Sequence, residues 1–422
     1  MTSENDKAVR DLKQVLEISR AMVATNELGD LLTLIINHAL TLLGVERATL
    51  FLYDEATDEL VARIATGVDE LRVPADKGIC GQTVQTGKTI VVPDAYADER
   101  FNPQVDKDLG FRTRNLMTIP LKGCQDNLVG VLQVLNKRSG DFSDWDIDLA
   151  EALGAQAGVA LQRARLLEHF LEKQKMERAM QIARDIQRGL LPDKPPSIAG
   201  FEVAGLSDPA DETGGDTFDF IPLASGQWAF VIADATGHGI GPALVIAETR
   251  AMLRACAHFS KAGAGDVTHI LDTANYLLSQ DLGGGSFVTC FLGILDPETH
   301  EMTYASAGHG PMIFYRRSED KFFEVPATFV PLGILEDASY EETKTFHFAP
   351  GDIAVVTTDG FFEAFDPASE MFGVPRMLDH IRSDRDLPCQ EIIDKLHRAV
   401  NAFSAGLEQA DDLTAVVIKR QA

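Results

Sequence analysis

Four aspartates stand where apolar runs give way to loops, three of them next to glycine or a second acid and Asp234 three residues before Gly237. Asp216 follows Gly214-Gly215, and Asp234 closes the run 228–233. Asp359 ends 353–358 ahead of Gly360, and Asp411 stands with Asp412 before 413–418. A single aspartate beside a glycine is ordinary turn chemistry. Four at strand ends are better read together, because clustered carboxylates raise one another's pKa unless positive charge lies between them. Hard oxygen donors of this kind suit manganese or magnesium, so the pattern predicts a two-metal site. The chain offers no Ser or Cys motif with a nearby base and no glycine-rich strand-to-helix loop of the nucleotide-binding kind. The expected attacker is therefore water, activated between two cations about 3.5–4 Å apart.

Such a site needs elements that bring distant carboxylates together. Residues 228–233 form an almost unbroken apolar run, which reads as a strand buried on both faces. Ala224-Ser225-Gly226 would turn the segment 217–222 back against it, a hairpin that sets Asp216 beside Asp234. Gly237, His238 and Gly239 make a tight turn, and Gly241-Pro242 open a helix. Further strand pairs are expected at 287–295 with 302–306 and at 311–315 with 322–325, with helices at 242–259, 267–282 and 389–403. This predicts a β-sandwich with helices outside.

The N-terminal part reads differently. Two helical patterns cover 7–43, broken at 26–30, with Leu12, Val15, Leu16 and Ser19 expected on one face of the first. The second should turn Leu31, Leu34, Ile35, Ala39 and Leu42 to one side. Strands follow at 48–53, 60–65, 89–92, 115–121 and 128–135, an antiparallel sheet flanked by helices. Residues 143–191 then stay helical for nearly fifty residues without a proline, until Pro192, Pro195 and Pro196 stop them. Two apolar seams run along this helix: Ile147, Ala150, Gly154, Ala157, Leu161 and Ala164, then Met176, Ala179, Ala183, Ile186 and Leu190. Between them 167–175 shifts the phase, which places a hinge there. Small residues on the first seam suggest a parallel homodimer, against the plainer reading of a helix packed on its own domain.

The charge balance, 38 Lys and Arg against 64 Asp and Glu, disfavours nucleic acid and anionic membrane as partners. Five scattered cysteines without a CxxC pair, a polar N-terminus and no membrane-length apolar run point to a soluble, cytoplasmic protein.

From about Arg178 to the C-terminus the motifs GGDTFDF, ADATGHG, SAGHGP, PLGIL, PGDIAVVTTDGFFEA and ADDLTAVVIK resemble the metal-dependent PPM-type serine/threonine phosphatases, in the SpoIIE-like, RsbU-like branch. The resemblance implies that Asp216 and Asp234 hold both metals and that the Ala235 carbonyl adds an oxygen. It also implies that Asp359 and Asp411 hold one metal from the far side, with Asp219, Asp412 and Glu363 in support. His238 and His309 are acid candidates that glycine-rich turns could equally explain, so the general acid is unassigned. Over about 26–162, LLTLIINHALTLLGVERATLFLYD, GICGQTVQTGKTIVVPDAYADERF, FRTRNLMTIPL and LVGVLQVLNK resemble a GAF sensory domain. Asn136, Lys137, Phe142 and Asp146 match most of a signature of cyclic-nucleotide-phosphodiesterase-like GAF domains, with Ile147 where that signature has Glu. A Lys137–Asp146 latch is preferred to nucleotide binding, and Cys80 to a packing role; the GAF ligand is left unknown.

The expected fold is therefore α+β: an N-terminal helix (1–25), a GAF domain (26–162), a helical linker (163–191) and a PPM-type domain (192–422). The expected function is hydrolysis of phosphoserine or phosphothreonine on a partner protein, which the family implies is an anti-sigma-factor antagonist. The cofactors would be two divalent cations, manganese or magnesium. A non-catalytic scaffold and a small phosphate-ester hydrolase are the alternatives; retention of all four aspartates favours the enzyme.

Overall fold

The computed structural model describes residues 2–62, 71–259, 267–283 and 285–421. The chain forms two compact units, Met1–Lys175 and Met176–Ala422. The first contains α1 (Thr2–Ala24), α2 (Leu28–Leu42), β1 (Val45–Asp54), β2 (Glu59–Ala62), β3 (Leu71–Pro74), α3 (Gly78–Thr86), β4 (Ile90–Val92), α4 (Pro103–Leu109), β5 (Leu116–Lys122) and β6 (Leu128–Lys137). It also holds the first part of α5 (Asp144–Leu190). Its six strands lie in the order β3-β2-β1-β6-β5-β4, every neighbour antiparallel. One face of this sheet packs on α1, α2 and α5 through Ile18, Leu31, Ile35, Leu132, Leu153 and Leu161.

Two expectations change here. On α1 the buried face is Val15, Ile18 and Met22, while Leu12 and Leu16 are exposed. The helix carries two apolar stripes, and the core takes the one that faces α2 and α5. The first seam of α5 is occupied within its own domain: Ala150, Ala157, Leu161 and Ala164 are buried in the core. A Cβ at Gly154 would lie 2.7 Å from Ile119 Cγ2, and one at Gly158 2.2 Å from the Lys122 carbonyl oxygen. The small residues thus let α5 approach β5, which withdraws this seam from any second chain. As the unbroken pattern predicts, α5 stays helical through 167–175, where the apolar seam changes phase. Of the strand expected at 60–65, residues 63–65 lie outside the described residues, and β3 was not anticipated.

The GAF-like signature is built into the frame of this unit. Lys137 Nζ donates to Asp146 Oδ1 at 2.6 Å and to the Leu43 carbonyl at 2.8 Å. Asn136 Oδ1 accepts from Arg114 N, its Nδ2 donates to Glu46, and Phe142 packs on the core. Cys80 is buried, and burial pushes its thiol up to about 12, leaving it inert.

The second unit adds β7 (Phe201–Asp208), β8 (Asp216–Pro222), β9 (Trp228–Ala235), α6 (Ile240–Phe259), α7 (Val267–Asp281), β10 (Val288–Asp296), β11 (Glu301–Ala307), β12 (Met312–Arg316), β13 (Lys321–Val325) and β14 (Lys344–His347). It closes with β15 (Ile353–Thr357), α8 (Gly360–Glu363), α9 (Gly373–Asp384), α10 (Cys389–Phe403) and β16 (Leu413–Arg420). Two five-stranded sheets, β14-β11-β10-β9-β8 and β13-β12-β15-β16-β7, sandwich an aromatic core that includes Phe218, Phe220, Phe230, Phe291 and Phe314. Helices α6 and α7 cover the outer face of the first sheet, and α9 and α10 that of the second. With both faces covered, the central strands read as nearly continuous apolar runs.

Candidate active site

The β8–β9 hairpin places Asp216 directly opposite Asp234 in the antiparallel register. In the second sheet, Asp359 follows β15 and starts α8, and Asp411 precedes the neighbouring strand β16. Both central pairs therefore end at the same rim of the sandwich. Asp216, Asp234 and Asp359 are each raised by burial and by the charge of neighbouring acids. Burial, then the charges of Asp359, Asp411 and Asp412, push the Asp234 carboxyl up to about 8. Burial, then Asp234 and Asp412, hold Asp216 well above the usual carboxylate range. Asp359 is raised by burial, Asp411 and Glu363.

The loop before β8 is shaped by contacts that leave no room for side chains. A Cβ on Gly215 would stand 2.8 Å from the Ala235 carbonyl oxygen, and one on Gly214 2.6 Å from Asp412 Oδ2. Ala235, buried at the end of β9, donates its N–H to the Gly215 carbonyl at 2.9 Å. Asp412 is a brace: its carboxylate accepts from Ala210 N at 2.8 Å and from Asp216 N at 3.3 Å.

Two further braces gave no sequence signal. Thr358 Oγ1 donates to Asp216 Oδ2 at 2.8 Å and accepts from Thr414 N at 3.0 Å, tying the two sheets together at the cluster. Gln187, near the end of α5, holds the backbone of one residue on both sides: its Oε1 accepts from Gly214 N at 3.0 Å and its Nε2 donates to Gly214 O at 2.5 Å. Polar residues on a helix surface or at a strand end look alike in sequence, and only the fold distinguishes these two.

Asp219 does not support the cluster. It lies on the opposite face of β8, paired with Arg250 Nε at 3.1 Å and Arg254 Nε at 3.3 Å on α6. His309 is buried, its Nδ1 3.1 Å from Thr289 Oγ1, and burial lowers its pKa to about 4. It is a neutral internal brace rather than an acid at the surface. His238 is exposed, with Nδ1 2.8 Å from Asp211 Oδ2.

Among the described residues, no three His, Cys, Asp or Glu side chains are grouped tightly enough to enclose an ion as they stand. The fit to divalent cations rests instead on donor type and on carboxyls raised by burial and by the charge of neighbouring acids. A hard ion that keeps several waters asks for only one or two protein carboxylates.

The family described as Stage II sporulation protein E (SpoIIE) matches residues 224–421, and the GAF domain family matches 27–161. Residues 224–421 thus form a segment of the SpoIIE phosphatase family, and 27–161 a segment of the GAF family. Asp234, Asp359 and Asp411 fall inside the matched phosphatase segment, and Asp216 just before it. The phosphoserine phosphatase RsbU of Bacillus subtilis is 25% identical over 264 residues, which is 63% of this chain and 76% of that protein. The probable 3',5'-cyclic phosphodiesterase pde-5 of Caenorhabditis elegans is 32% identical over 148 residues, 32% of this chain and only 20% of that protein. Among solved structures, the SiaA-PP2C domain of Pseudomonas aeruginosa superposes with a TM-score of 0.52 at 21% identity, covering 59% of this chain and 98% of that one. That likeness is one of fold. Among the described residues no helix is long and apolar enough to cross a membrane.

Proposed function

We propose that this SpoIIE-type phosphatase removes phosphate from serine or threonine of a partner protein, with Asp216, Asp234, Asp359, Asp411 and the Ala235 carbonyl holding two divalent cations, manganese or magnesium. The observation that carries this reading is the Asp216–Asp234 cross-strand pair facing Asp359 and Asp411, four carboxyls kept close at an electrostatic cost. Divalent cations bound there would supply Lewis acidity toward an attacking water and neutralise charge on the phosphoryl oxygens. The chain's own part is positional. Thr358 and Asp412 fix the Asp216 end of the hairpin, and Gln187 fixes the loop ahead of it. The buried aromatic core behind the cluster keeps β8, β9, β15 and β16 rigid, so the donors cannot drift apart. A phosphoserine partner accords with the name of the RsbU relative, and the family-implied candidate is an anti-sigma-factor antagonist.

The GAF domain is the proposed regulator and α5 its output, with a homodimer formed through surfaces other than the first α5 seam. The test is manganese-dependent phosphate release by the full chain from phosphorylated candidate partners, with and without cyclic nucleotides. Release that needs metal supports the reading. Metal-independent release, or none from any phosphoprotein or from p-nitrophenyl phosphate, would end it.

A further inference from the structure

We propose that the cavity between α8, α10 and the 404–411 loop is a substrate subsite that accepts an apolar side chain with a basic neighbour, close to the phosphorylated residue. This rests on the reading that the substrate is a phosphoprotein, and it adds what sequence around the phosphate is selected.

The cavity, about 390 Å³, begins at the cluster itself, since Asp411 and Gly360 line it. Its floor is apolar: Val400 of α10 and Leu413 of β16 are each about 2% exposed. At the rim Leu407 and Phe365 remain 50% and 45% exposed, two large apolar side chains turned to solvent beside a catalytic centre. The rest of the charge is of one sign. Glu363, Glu408 and Asp411 line the cavity, and among the described residues no Lys, Arg or His does. An apolar floor under an acidic rim fits a leucine-sized side chain followed or preceded by lysine or arginine, and disfavours an acidic segment.

The subsite is built rather than collapsed onto. The Gln409 side-chain amide donates to the Asp208 and Asp411 carbonyls, both at 2.9 Å. The Leu407 N–H closes a turn on the Ser404 carbonyl at 3.0 Å, through Ala405 and Gly406 at φ +48° and +86°. That left-handed pair, natural for glycine, holds Leu407 out at the rim. An extended peptide advances about 3.3 Å per residue, so positions within a few residues of a phosphoserine at the cluster reach the cavity.

The test uses the full chain with manganese and a set of phosphoserine peptides in glycine-serine context. A leucine-lysine pair is walked through positions one to six on either side of the phosphoserine, beside a leucine-glutamate set and a plain peptide. We expect one register to exceed the plain peptide in kcat/KM by about tenfold or more, the scale of filling one apolar pocket. In Leu407→Asp that ratio should fall to near one, and in Glu408→Lys the preference for lysine over glutamate should reverse. Both positions are exposed, so neither variant threatens the core. A flat profile across registers, or a preferred register that survives both substitutions, overturns the subsite. Hydrolysis of p-nitrophenyl phosphate with no phosphopeptide cleaved would instead sink the phosphoprotein reading on which it stands.

Discussion

Asp234 meets two opposed demands. Its burial, and then the charges of Asp359, Asp411 and Asp412, disfavour its charged form, while the proposed chemistry needs that charge to bind cations. Asp234→Asn separates the two. We expect manganese-dependent turnover to drop to below roughly a hundredth of the parent, since a neutral amide is a poor ligand to a hard ion. Above about pH 8, where the parent's carboxyl is ionised, the same variant should melt higher than the parent in chelator, because one repulsive charge is gone; a lower metal-free midpoint there would contradict the repulsion. A pH dependence follows from the same residue. Folding raises the Asp234 carboxyl to about 8, so the native state binds this proton more tightly than the unfolded chain does. Its stabilising contribution is complete below the unfolded carboxylate range, near pH 4, and is lost as pH rises through about 8. Melting in chelator should therefore fall between pH 5 and 8.5, and saturating manganese should flatten that fall. A metal-free midpoint that rises over the window would reverse the sign and refute the clustered-acid account.

Elements differ in how much of themselves they write into the sequence. The β8–β9 hairpin was legible because its two strands are joined by a short turn and both end on an acid, so local pairing alone brings Asp216 to Asp234. The turn-linked pairs β10–β11 and β12–β13 were legible for the same reason. By contrast β7 pairs with β16, whose residues lie some two hundred positions away, and β14 is four residues long on a sheet edge. Neither has a local partner to announce it, and both were missed. On α1 the helix was legible but its inward face was not, because it carries more apolar surface than its core uses; on α5 the first seam is the inward face, and what differed was its partner, its own domain rather than a second chain. The carboxylates of the site were readable as residue types at strand ends. Gln187 was not, since its role exists only once α5 reaches the Gly214 loop. That grip motivates a test of α5 as an output element. A helix advances roughly 100° per residue, so two residues inserted after Glu172 turn the downstream part by about 200°, whereas seven leave it some 20° from register. With the GAF domain acting through helix orientation, the seven-residue insertion should keep regulated turnover and the two-residue insertion should fix the enzyme on or off. Equal behaviour of the two would reduce α5 to a tether.

At the scale of the whole chain, each side of the division at Lys175/Met176 has its own clusters of buried side chains among the described residues. Each unit should then carry its own cooperative transition, and a ligand that binds one should stabilise that one alone by mass action. Every residue proposed to hold metal lies in the second unit. Calorimetry of the full chain should accordingly resolve two transitions, of which manganese raises only one, by an amount that grows with the logarithm of metal concentration. The Asp234→Asn chain supplies the internal reference: its transition should lose most of that dependence, while the other stays within error of the parent. If manganese moves both transitions together in the parent, metal binding is felt across α5 even without a GAF ligand. The two units would then be energetically coupled, and the regulatory signal would run in both directions, because a coupling free energy is reciprocal.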